Sequence, residues 1–215
     1  MDNATIWESL YARGEGLYAC PSEMVVRLSG RVFGDKARIL DYSFGAGANL
    51  IHLLQRGYDV CGVEVSESAL AVTRARLQSQ NLQADLRLAV PESIPFEDAS
   101  FEAVLAWHVL YYNDWRSLAR AVTEINRVLR PGGAFLGTMA ASGDASHTGA
   151  IPLGDGVFQS QAAGQAGATV LILEEKDLAR CFPCQSLTIG HLSWEFDGAH
   201  NRSWIVSYRK GADSK

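Results

Sequence analysis

The 215-residue sequence lacks both a long uninterrupted apolar run and a dense cluster of basic residues. A membrane-spanning helix needs roughly 20 consecutive apolar residues, so the sequence predicts no membrane span. Its 19 lysines and arginines are outnumbered by 24 aspartates and glutamates, which argues against a long nucleic acid as a partner. The first residues have neither the basic nor the apolar part of a secretory signal, and we therefore expect a cytoplasmic protein.

Cysteine is also scarce, with Cys20, Cys61, Cys181 and Cys184 as its four occurrences. In the absence of a secretory signal we expect these residues to be reduced thiols. Cys181 and Cys184 have the spacing of redox dithiols, but they follow a helical pattern, whereas such a thiolate is normally activated at a helix N-terminus. No second pair of ligands accompanies them at a zinc spacing, so we expect neither redox chemistry nor a metal site.

The composition and the order of the predicted elements indicate one α/β domain over residues 1–215. Apolar residues make up 47% of the sequence and charged residues 20%, as in ordinary globular enzymes. Strand-like and helix-like segments alternate from residue 37 to 139, which is typical of a parallel sheet. We expect a helical cap over 1–30, a cofactor-binding core over 37–139, a glycine-rich substrate lid over 140–170, and a helix with two closing strands over 174–209.

The most informative segment is residues 41–49, which directly follows the apolar run 37–40. It indicates a buried strand that ends in Asp41, followed by a turn with Gly45 and Gly47 that opens a helix. A second acidic residue, Glu64, ends the next apolar run, where a carboxylate can accept hydrogen bonds from both hydroxyls of a ribose. Together the two runs predict a cofactor that contains a nucleoside.

Two kinds of cofactor compete for such a site. A nicotinamide-binding domain requires the spacing Gly-x-Gly-x-x-Gly and aims a helix N-terminus at a pyrophosphate, and this spacing is missing here. The carboxylate of Asp41 just before the turn repels a pyrophosphate and attracts a cation, such as an amino group or a sulfonium. The charge therefore favours S-adenosylmethionine over a dinucleotide.

Four segments in order resemble the class I S-adenosylmethionine-dependent methyltransferases, particularly the small-molecule type. Residues 41–47 are similar to the family's acidic residue and glycine turn, and Glu64 within 63–66 is similar to its second acid. Residues 94–102 resemble its Leu-Pro-Phe-x-Asp-x-Ser-Phe-Asp run, and residues 124–133 match its Glu-x-x-Arg-Val-Leu-x-Pro-Gly-Gly run. The resemblance implies a doubly wound, mostly parallel, Rossmann-like sheet of seven strands with an antiparallel C-terminal strand.

The same resemblance implies roles for residues at the cofactor. Asp41 would hold the amino group directly or through water, and Glu64 would hold the ribose; helix capping or a surface ion pair is the alternative for both carboxylates. The backbone at Gly45 and Gly47 would approach the methionine part. The remaining expected cofactor contacts are Tyr11 and Arg13 near the start of the chain, Ser43 and Asn49 in the glycine segment, Val65 beside the adenine, Val90 and Pro91, and Ala106 and Trp107 at the methionine end.

Two positions depart from the family pattern. Ser43 stands where the first glycine usually sits; a positive φ there costs a serine about 1–2 kcal/mol, whereas an extended backbone costs little and leaves the hydroxyl free to reach the cofactor. Val90 stands where members often have an aspartate that accepts a hydrogen bond from adenine. Losing that contact costs about 0.5–1.5 kcal/mol, so we expect binding to be retained, with adenine recognised through Pro91, Glu92 and apolar packing.

Catalytic residues are weakly marked, because methyl transfer needs alignment and needs a base only when the acceptor loses a proton. His108, at the carboxyl end of the fourth predicted strand, is the best candidate base, with packing as its alternative role. Tyr111 and Tyr112 would line the acceptor pocket or pack beneath the following helix. His147 would come from the lid or lie on an exposed loop. Trp7, Tyr11 and Arg13 would close over the cofactor, with Arg13 facing its carboxylate; the alternative is a plain amphipathic helix whose apolar face contains Ile6, Leu10 and Tyr11.

The sequence therefore predicts an enzyme that transfers a methyl group from S-adenosylmethionine to a small molecule. Three alternatives stay open: a methyltransferase acting on a protein or RNA side group, a non-catalytic module that binds S-adenosylmethionine or S-adenosylhomocysteine, and a nicotinamide oxidoreductase. The acceptor and the oligomeric state leave no readable pattern in the sequence.

Overall fold

The computed structural model describes residues 2–90, 93–144, 147–182, 186–197 and 199–211. The helices are α1 (Asn3–Ala12), α2 (Glu23–Val32), α3 (Ala48–Gln55), α4 (Glu67–Ser79), α5 (Trp115–Val128) and α6 (Leu178–Cys181). The strands are β1 (Arg38–Tyr42), β2 (Asp59–Glu64), β3 (Asp85–Leu88), β4 (Phe101–Ala106), β5 (Leu129–Ala141), β6 (Ile151–Gly154), β7 (Val157–Gln159), β8 (Thr169–Leu173), β9 (Thr188–Phe196) and β10 (Ala199–Arg209). None of the helices within these ranges is long and apolar enough to cross a membrane.

The predicted sheet is confirmed. Five parallel strands lie in the order β3–β2–β1–β4–β5, and β10 continues the sheet as an antiparallel neighbour of β5, with β9 paired to β10 at the edge. This path has the predicted mostly parallel arrangement, with one antiparallel strand near the C-terminus. The sequences of such parallel strands are nearly continuous apolar runs because both faces of the sheet are covered.

Helices cover both faces of the sheet, so the fold is doubly wound. One apolar core contains Leu118 and Ile125 of α5 and Leu178 of α6. The core on the opposite face contains Val25 of α2, Leu50 of α3, and Leu70 and Leu77 of α4. The remaining helix, α1, contacts α4 and lies across the carboxyl ends of the strands.

Three strands exceed the seven that the sequence predicts. β6, β7 and β8 form an antiparallel meander in the glycine-rich segment after β5, residues 142–173, which we call the excursion. β8 pairs with the last two residues of β5, Ala140 and Ala141. Val170, Leu171 and Leu173 of β8 are buried. The strand escapes sequence analysis because its apolar run, residues 170–173, is only four residues long and follows a glycine-containing segment that indicates a loop.

Local signals explain where the helices near the site begin. The Ser66 hydroxyl accepts a hydrogen bond from the Ala69 N–H at 3.1 Å and caps α4, as its residue type predicts. The Asp114 carboxylate caps α5 in the same way by accepting from the Ser117 N–H at 2.7 Å. α4 therefore starts just after the end of β2, whereas α5 starts after residues 107–114, which follow β4 and contribute to the cavity wall.

Candidate active site

The glycine turn between β1 and α3 has a left-handed backbone at three positions. Ser43 has φ 60°, Gly45 φ 55° and Gly47 φ 80°. A Cβ on Gly45 would lie 2.6 Å from the Tyr11 hydroxyl oxygen, and one on Gly47 would lie 2.5 Å from Cγ2 of Thr73. Both glycines are therefore required by backbone conformation, and Gly47 also by the close approach of the Thr73 side chain.

The positive φ of Ser43 decides between the two conformations that the sequence leaves open. The Ser43 N–H donates to the Val63 carbonyl at 2.8 Å, and this bond fixes the strained residue against the end of β2. A serine in this conformation costs about 1–2 kcal/mol relative to glycine. Its side chain nevertheless lines the cavity described below, which is where strained residues at functional sites are found.

Two buried carboxylates lie at the ends of β1 and β2. Glu64 accepts hydrogen bonds from three backbone N–H groups, at 2.8 Å from Gly45, 2.8 Å from Val65 and 3.1 Å from Ser66. Burial raises the pKa of Glu64, and these three bonds oppose the shift. Asp41 is buried as well, and its Oδ2 atom has no hydrogen-bonding partner among the described residues. Burial, together with the negative charge of Glu64, raises the pKa of Asp41 to about 8.

A cavity of about 120 Å³ lies between these strand ends and α1. It is smaller than ordinary ligand pockets, which measure roughly 300–1,000 Å³, because α1 covers part of the site. Among the described lining residues Glu64 is the one charged side chain, and most of the remaining wall is aromatic or apolar. The lining consists of Asn3, Ala4, Trp7, Tyr11, Tyr42, Ser43, Glu64, Val65, His108, Val109, Tyr112 and Asn113.

One end of the closing helix is bound to the N-terminus of α4. The Glu8 carboxylate accepts hydrogen bonds from the hydroxyls of Ser66 and Ser68, each at 2.6 Å, and from the Ser68 N–H at 3.2 Å. These bonds lower the pKa of Glu8, so the carboxylate stays ionised at neutral pH. A negative charge is also favourable there because it lies at the positive end of the α4 dipole.

The other end of α1 is bound to the segment after β4 and to β8. The Asn3 amide donates to the carbonyls of Tyr112 at 2.7 Å and Thr169 at 3.0 Å, and its oxygen accepts from the Thr169 N–H at 2.9 Å. The ring of Trp7 packs edge-on against Tyr112 with centroids 4.8 Å apart. The excursion therefore supports the helix that closes the cavity.

His108 follows β4 and lines the cavity with a left-handed backbone of φ 56°. Its N–H donates to Oγ1 of Thr138 at 2.8 Å. Its ring atom Nδ1 lies 3.4 Å from the Tyr111 hydroxyl and 3.5 Å from Oγ1 of Thr138. Burial lowers the pKa of His108 to about 4, so the imidazole is neutral at physiological pH and weakly basic in the ligand-free protein, and the charge of Asp144 partly opposes this shift.

Titratable side chains surround Tyr111 behind His108. Burial raises the pKa of Tyr111 and lowers that of His147, whose ring lies 5.9 Å from the Tyr111 ring. The charge of Asp144, a buried residue on the loop after β5, favours protonation of both His108 and His147. The Tyr112 hydroxyl donates to Oε1 of Gln165 at 2.8 Å and so connects this cluster with the excursion.

The structure brings ten of the sixteen predicted site residues to the glycine turn, the two carboxylates and the cavity wall. These are Tyr11, Asp41, Ser43, Gly45, Gly47, Glu64, Val65, His108, Tyr111 and Tyr112. Their roles remain predictions, because their positions alone do not test what they bind.

Six predicted residues have other surroundings or lie outside the described ranges. Arg13 is half-exposed and paired with Glu15 at 2.8 Å. Asn49 accepts a hydrogen bond from the Ser22 N–H at 2.9 Å, and Val90 is 68% exposed. Ala106 and Trp107 are buried in opposite cores, outside the cavity lining. Pro91 lies outside the described residues.

Sequence reasoning missed Asn3, Glu8, Asp144 and Gln165. Each acts through contacts with residues far away in the chain; Asn3, for example, bonds partners 109 and 166 residues distant. Single polar residues in such positions carry no local pattern. The one available signal was the helical phase of α1, which places Asn3, Trp7 and Tyr11 on one face.

Comparisons with known proteins agree with this geometry. A family model described as a methyltransferase domain matches residues 39–133. An uncharacterized methyltransferase of Mycobacterium tuberculosis is 41% identical over 99 residues, which is 45% of this chain and 37% of that protein. A demethylmenaquinone methyltransferase of Symbiobacterium thermophilum is 35% identical over 104 residues, 46% of this chain and 40% of that protein. The chain thus spans less than half the length of these curated relatives.

A solved structure shares the fold over nearly the whole chain. It is the 1,6-didemethyltoxoflavin-N1-methyltransferase of Burkholderia thailandensis with bound 1,6-didemethyltoxoflavin and S-adenosylhomocysteine. It superposes with a TM-score of 0.74 at 17% identity and covers 97% of this chain and 87% of its own. At this level of identity the likeness concerns the fold.

Proposed function

The chain belongs, through residues 39–133, to the class I S-adenosylmethionine-dependent methyltransferases, and from this premise we propose that it transfers a methyl group to a small, uncharged acceptor. The observation that carries the proposal is the pair of buried carboxyl groups beside a left-handed glycine turn and next to a largely aromatic cavity. Asp41 and Glu64 place two buried carboxyl groups at one end of this site, and His108 places a neutral imidazole at the other.

The residues fit S-adenosylmethionine better than a dinucleotide. The unpartnered Oδ2 of Asp41 suits a cationic amino group, which favours ionisation of this carboxyl and removes the cost of its burial. The carboxylate of Glu64 has further lone pairs for ribose hydroxyls beyond its three backbone bonds. When bound, the cofactor supplies an electrophilic methyl group on a sulfonium.

The cavity wall supports an uncharged, planar acceptor. Trp7, Tyr11, Tyr42 and Tyr112 offer ring faces, and no lysine or arginine is part of the described lining. Such a wall does not stabilise a carboxylate or phosphate on the acceptor, because a buried anion needs a paired charge. The aromatic side chains instead stack with conjugated rings and exclude water.

His108 would accept the proton that an acidic O–H or N–H acceptor loses. Its Nδ1 atom faces Tyr111 and Thr138, so its Nε2 atom is left for the acceptor. The positively charged imidazole that results is stabilised by the negative charge of Asp144. The strained backbone of His108, fixed by Thr138, aims the ring toward the cavity.

Calorimetric titration with S-adenosylmethionine, S-adenosylhomocysteine and a nicotinamide dinucleotide tests the cofactor. We expect binding of the first two and none of the dinucleotide; the reverse result would exclude the proposed function. Labelled cofactor with a panel of phenols and N-heterocycles then tests methyl transfer. His108→Gln should slow transfer by roughly 100-fold or more while leaving S-adenosylhomocysteine affinity unchanged, as removal of a general base does.

A further inference from the structure

The strand β9 forms an open edge of the sheet. It pairs with β10 alone, through nine consecutive residue pairs without a bulge. Eight of its nine residues are exposed, and Leu192 is half-buried. Its exposed apolar side chains include Trp194, which is 51% exposed, and Phe196, which is 78% exposed. No described segment covers this edge.

An edge of this kind normally carries features that prevent pairing with another chain. Lysines, prolines, bulges and short length are the usual ones. The β9 sequence, from Thr188 to Phe196, contains none of these, and Glu195 is its one acidic residue. A long, regular and partly aromatic edge strand is a template for a further strand.

The hairpin geometry determines which backbone groups are free. Phe196 pairs with Ala199 across a two-residue connection, and the closing pair of such a hairpin exchanges both of its N–H···O bonds. Hydrogen-bonded pairs then alternate along the ladder, so the even-numbered residues of β9 bond to β10. The N–H and C=O groups of the odd-numbered residues, from Ile189 to Glu195, point toward the free edge.

We propose that a second copy of this chain pairs with β9, antiparallel and centred on Ser193, to join the two sheets into one. In this register His191 lies opposite Glu195 of the second copy, and the same pair recurs by symmetry. Gly190 lies opposite Phe196 of the second copy, where an aromatic ring covers the glycine. The His191 imidazole can donate a hydrogen bond to the Glu195 carboxylate, so the strand is complementary to itself in its polar groups and in shape, as a two-fold interface requires.

The side chains also face consistently in this arrangement. His191 packs against Trp204 of β10 with ring centroids 5.0 Å apart, so the odd-numbered side chains of β9 lie on that face. Leu192, Trp194 and Phe196 lie on the opposite face. Pairing through the free edge would bring Trp194 beside Leu192 of the second copy and cover apolar surface that is exposed in the single chain.

Sedimentation velocity over a range from low micromolar to several hundred micromolar tests the proposal. We expect a concentration-dependent dimer, and Ser193→Pro should abolish it, because proline removes an N–H that points to the free edge and leaves the β10 ladder intact. Circular dichroism of Ser193→Pro controls for folding. Monomers of the unmodified protein at every concentration would overturn the proposal.

Two further variants test the register without relying on proline. Glu195→Lys should weaken dimerisation roughly twofold to thirtyfold, since two cross-strand pairs of about 0.2–1 kcal/mol are lost, and adding His191→Glu should restore it. Ser193→Cys should form an intermolecular disulfide on mild oxidation, whereas Leu192→Cys should not. If the Glu195→Lys and His191→Glu variants dimerised as the original protein does, and Ser193→Cys formed no intermolecular disulfide, another surface would mediate the dimer.

Discussion

The two halves of the candidate site are built in opposite ways. The cofactor half consists of the glycine turn and the end of β2, and Glu64 makes its hydrogen bonds to residues 1, 2 and 19 positions away. The acceptor half consists of α1, the segment after β4 and the excursion, and Asn3 bonds partners 109 and 166 positions away. One half is local and largely made of backbone; the other assembles only when distant segments dock.

This difference indicates that the two halves have different freedom to move. The glycine turn directly follows β1, a central strand between β2 and β4, and its Ser43 is bonded to Val63 of β2, so the turn cannot open without disturbing the sheet. α1 is held by a few polar side chains and the packing of its rings, and such contacts open at a lower free-energy cost than a core strand. The cavity of about 120 Å³ beside α1 is smaller than ordinary ligand pockets, and we therefore predict that α1 moves when the ligand enters.

The largest effect expected is on the cofactor half, from Gly47→Ala. The new Cβ would lie 2.5 Å from Thr73, and the left-handed φ of 80° is unfavourable for alanine. Strain and overpacking together should destabilise the protein by about 2–5 kcal/mol. Gly57→Ala is the matched control, because Gly57 has φ 86° and no atom within 4 Å of a new Cβ. Chemical denaturation measures the free energy of unfolding of both variants. Equal losses of stability would mean that overpacking against Thr73 contributes nothing to the effect of Gly47→Ala.

The second prediction concerns the cost of burying Asp41. Its folded pKa of about 8 lies above the unfolded value of 3.8, so folding favours the protonated form and the free energy of unfolding falls as pH rises from 4 to 8. Asp41→Asn removes this loss and should stabilise the ligand-free protein by about 2–5 kcal/mol at pH 8. Near pH 4 the variant and the original should have equal melting temperatures.

The same substitution should weaken S-adenosylmethionine binding, because the neutral amide cannot pair with the amino group. Melting curves at several pH values, with and without ligand, separate the two effects. A variant less stable at pH 8 than the original would show that Asp41 has a stabilising partner in the ligand-free protein.

The third prediction tests the ribose contact. Glu64→Ala should reduce the affinity for S-adenosylhomocysteine by about 1–3 kcal/mol, roughly tenfold to a hundredfold. Part of this loss of affinity will arise because the variant leaves three backbone N–H groups without the carboxylate that accepts their hydrogen bonds in the original protein. Adenosine and inosine, which both have a ribose, should lose affinity with the full ligand in calorimetric titration, whereas 2′,3′-dideoxyadenosine should not. Unchanged affinity for the full ligand would remove Glu64 from the site.

The same contrast explains how much the sequence could predict. The order of strands, the glycine turn and both carboxylates follow from patterns a few residues long, because an apolar run, an acid and two glycines are consecutive in the chain. The conformation of Ser43 did not follow, since its positive φ results from the tight bend and the bond to Val63 rather than from its residue type.

The acceptor half could be predicted only in part. His108 and the tyrosines after it follow β4 directly and were therefore recognisable. Asp144 and Gln165 are single polar residues in a segment whose glycines predict a loop, and their contacts with the cluster depend on β8 pairing with the end of β5. Register and docking of distant segments decide such contacts, and no local pattern encodes them.

The smallest effect expected is on the helix that closes the site. Glu8→Gln replaces one oxygen of a carboxylate that accepts three hydrogen bonds by an NH₂ group, so at least one bond from Ser66 or Ser68 is lost or reversed, and the negative charge at the N-terminus of α4 is removed. A single bond of about 0.5–1.5 kcal/mol should raise the dissociation rate of S-adenosylhomocysteine roughly twofold to tenfold.

The association rate should rise as well, because both rates depend on the opening of α1, and the affinity should therefore change less than either rate. Glu23→Gln on α2 is the matched control, since Glu23 is exposed and pairs with Arg27 away from the cavity. Stopped-flow binding measures all four rates. If Glu8→Gln changed only the dissociation rate of the ligand, Glu8 would stabilise the bound state without controlling ligand entry. The two halves of the site would then open together, rather than α1 opening alone.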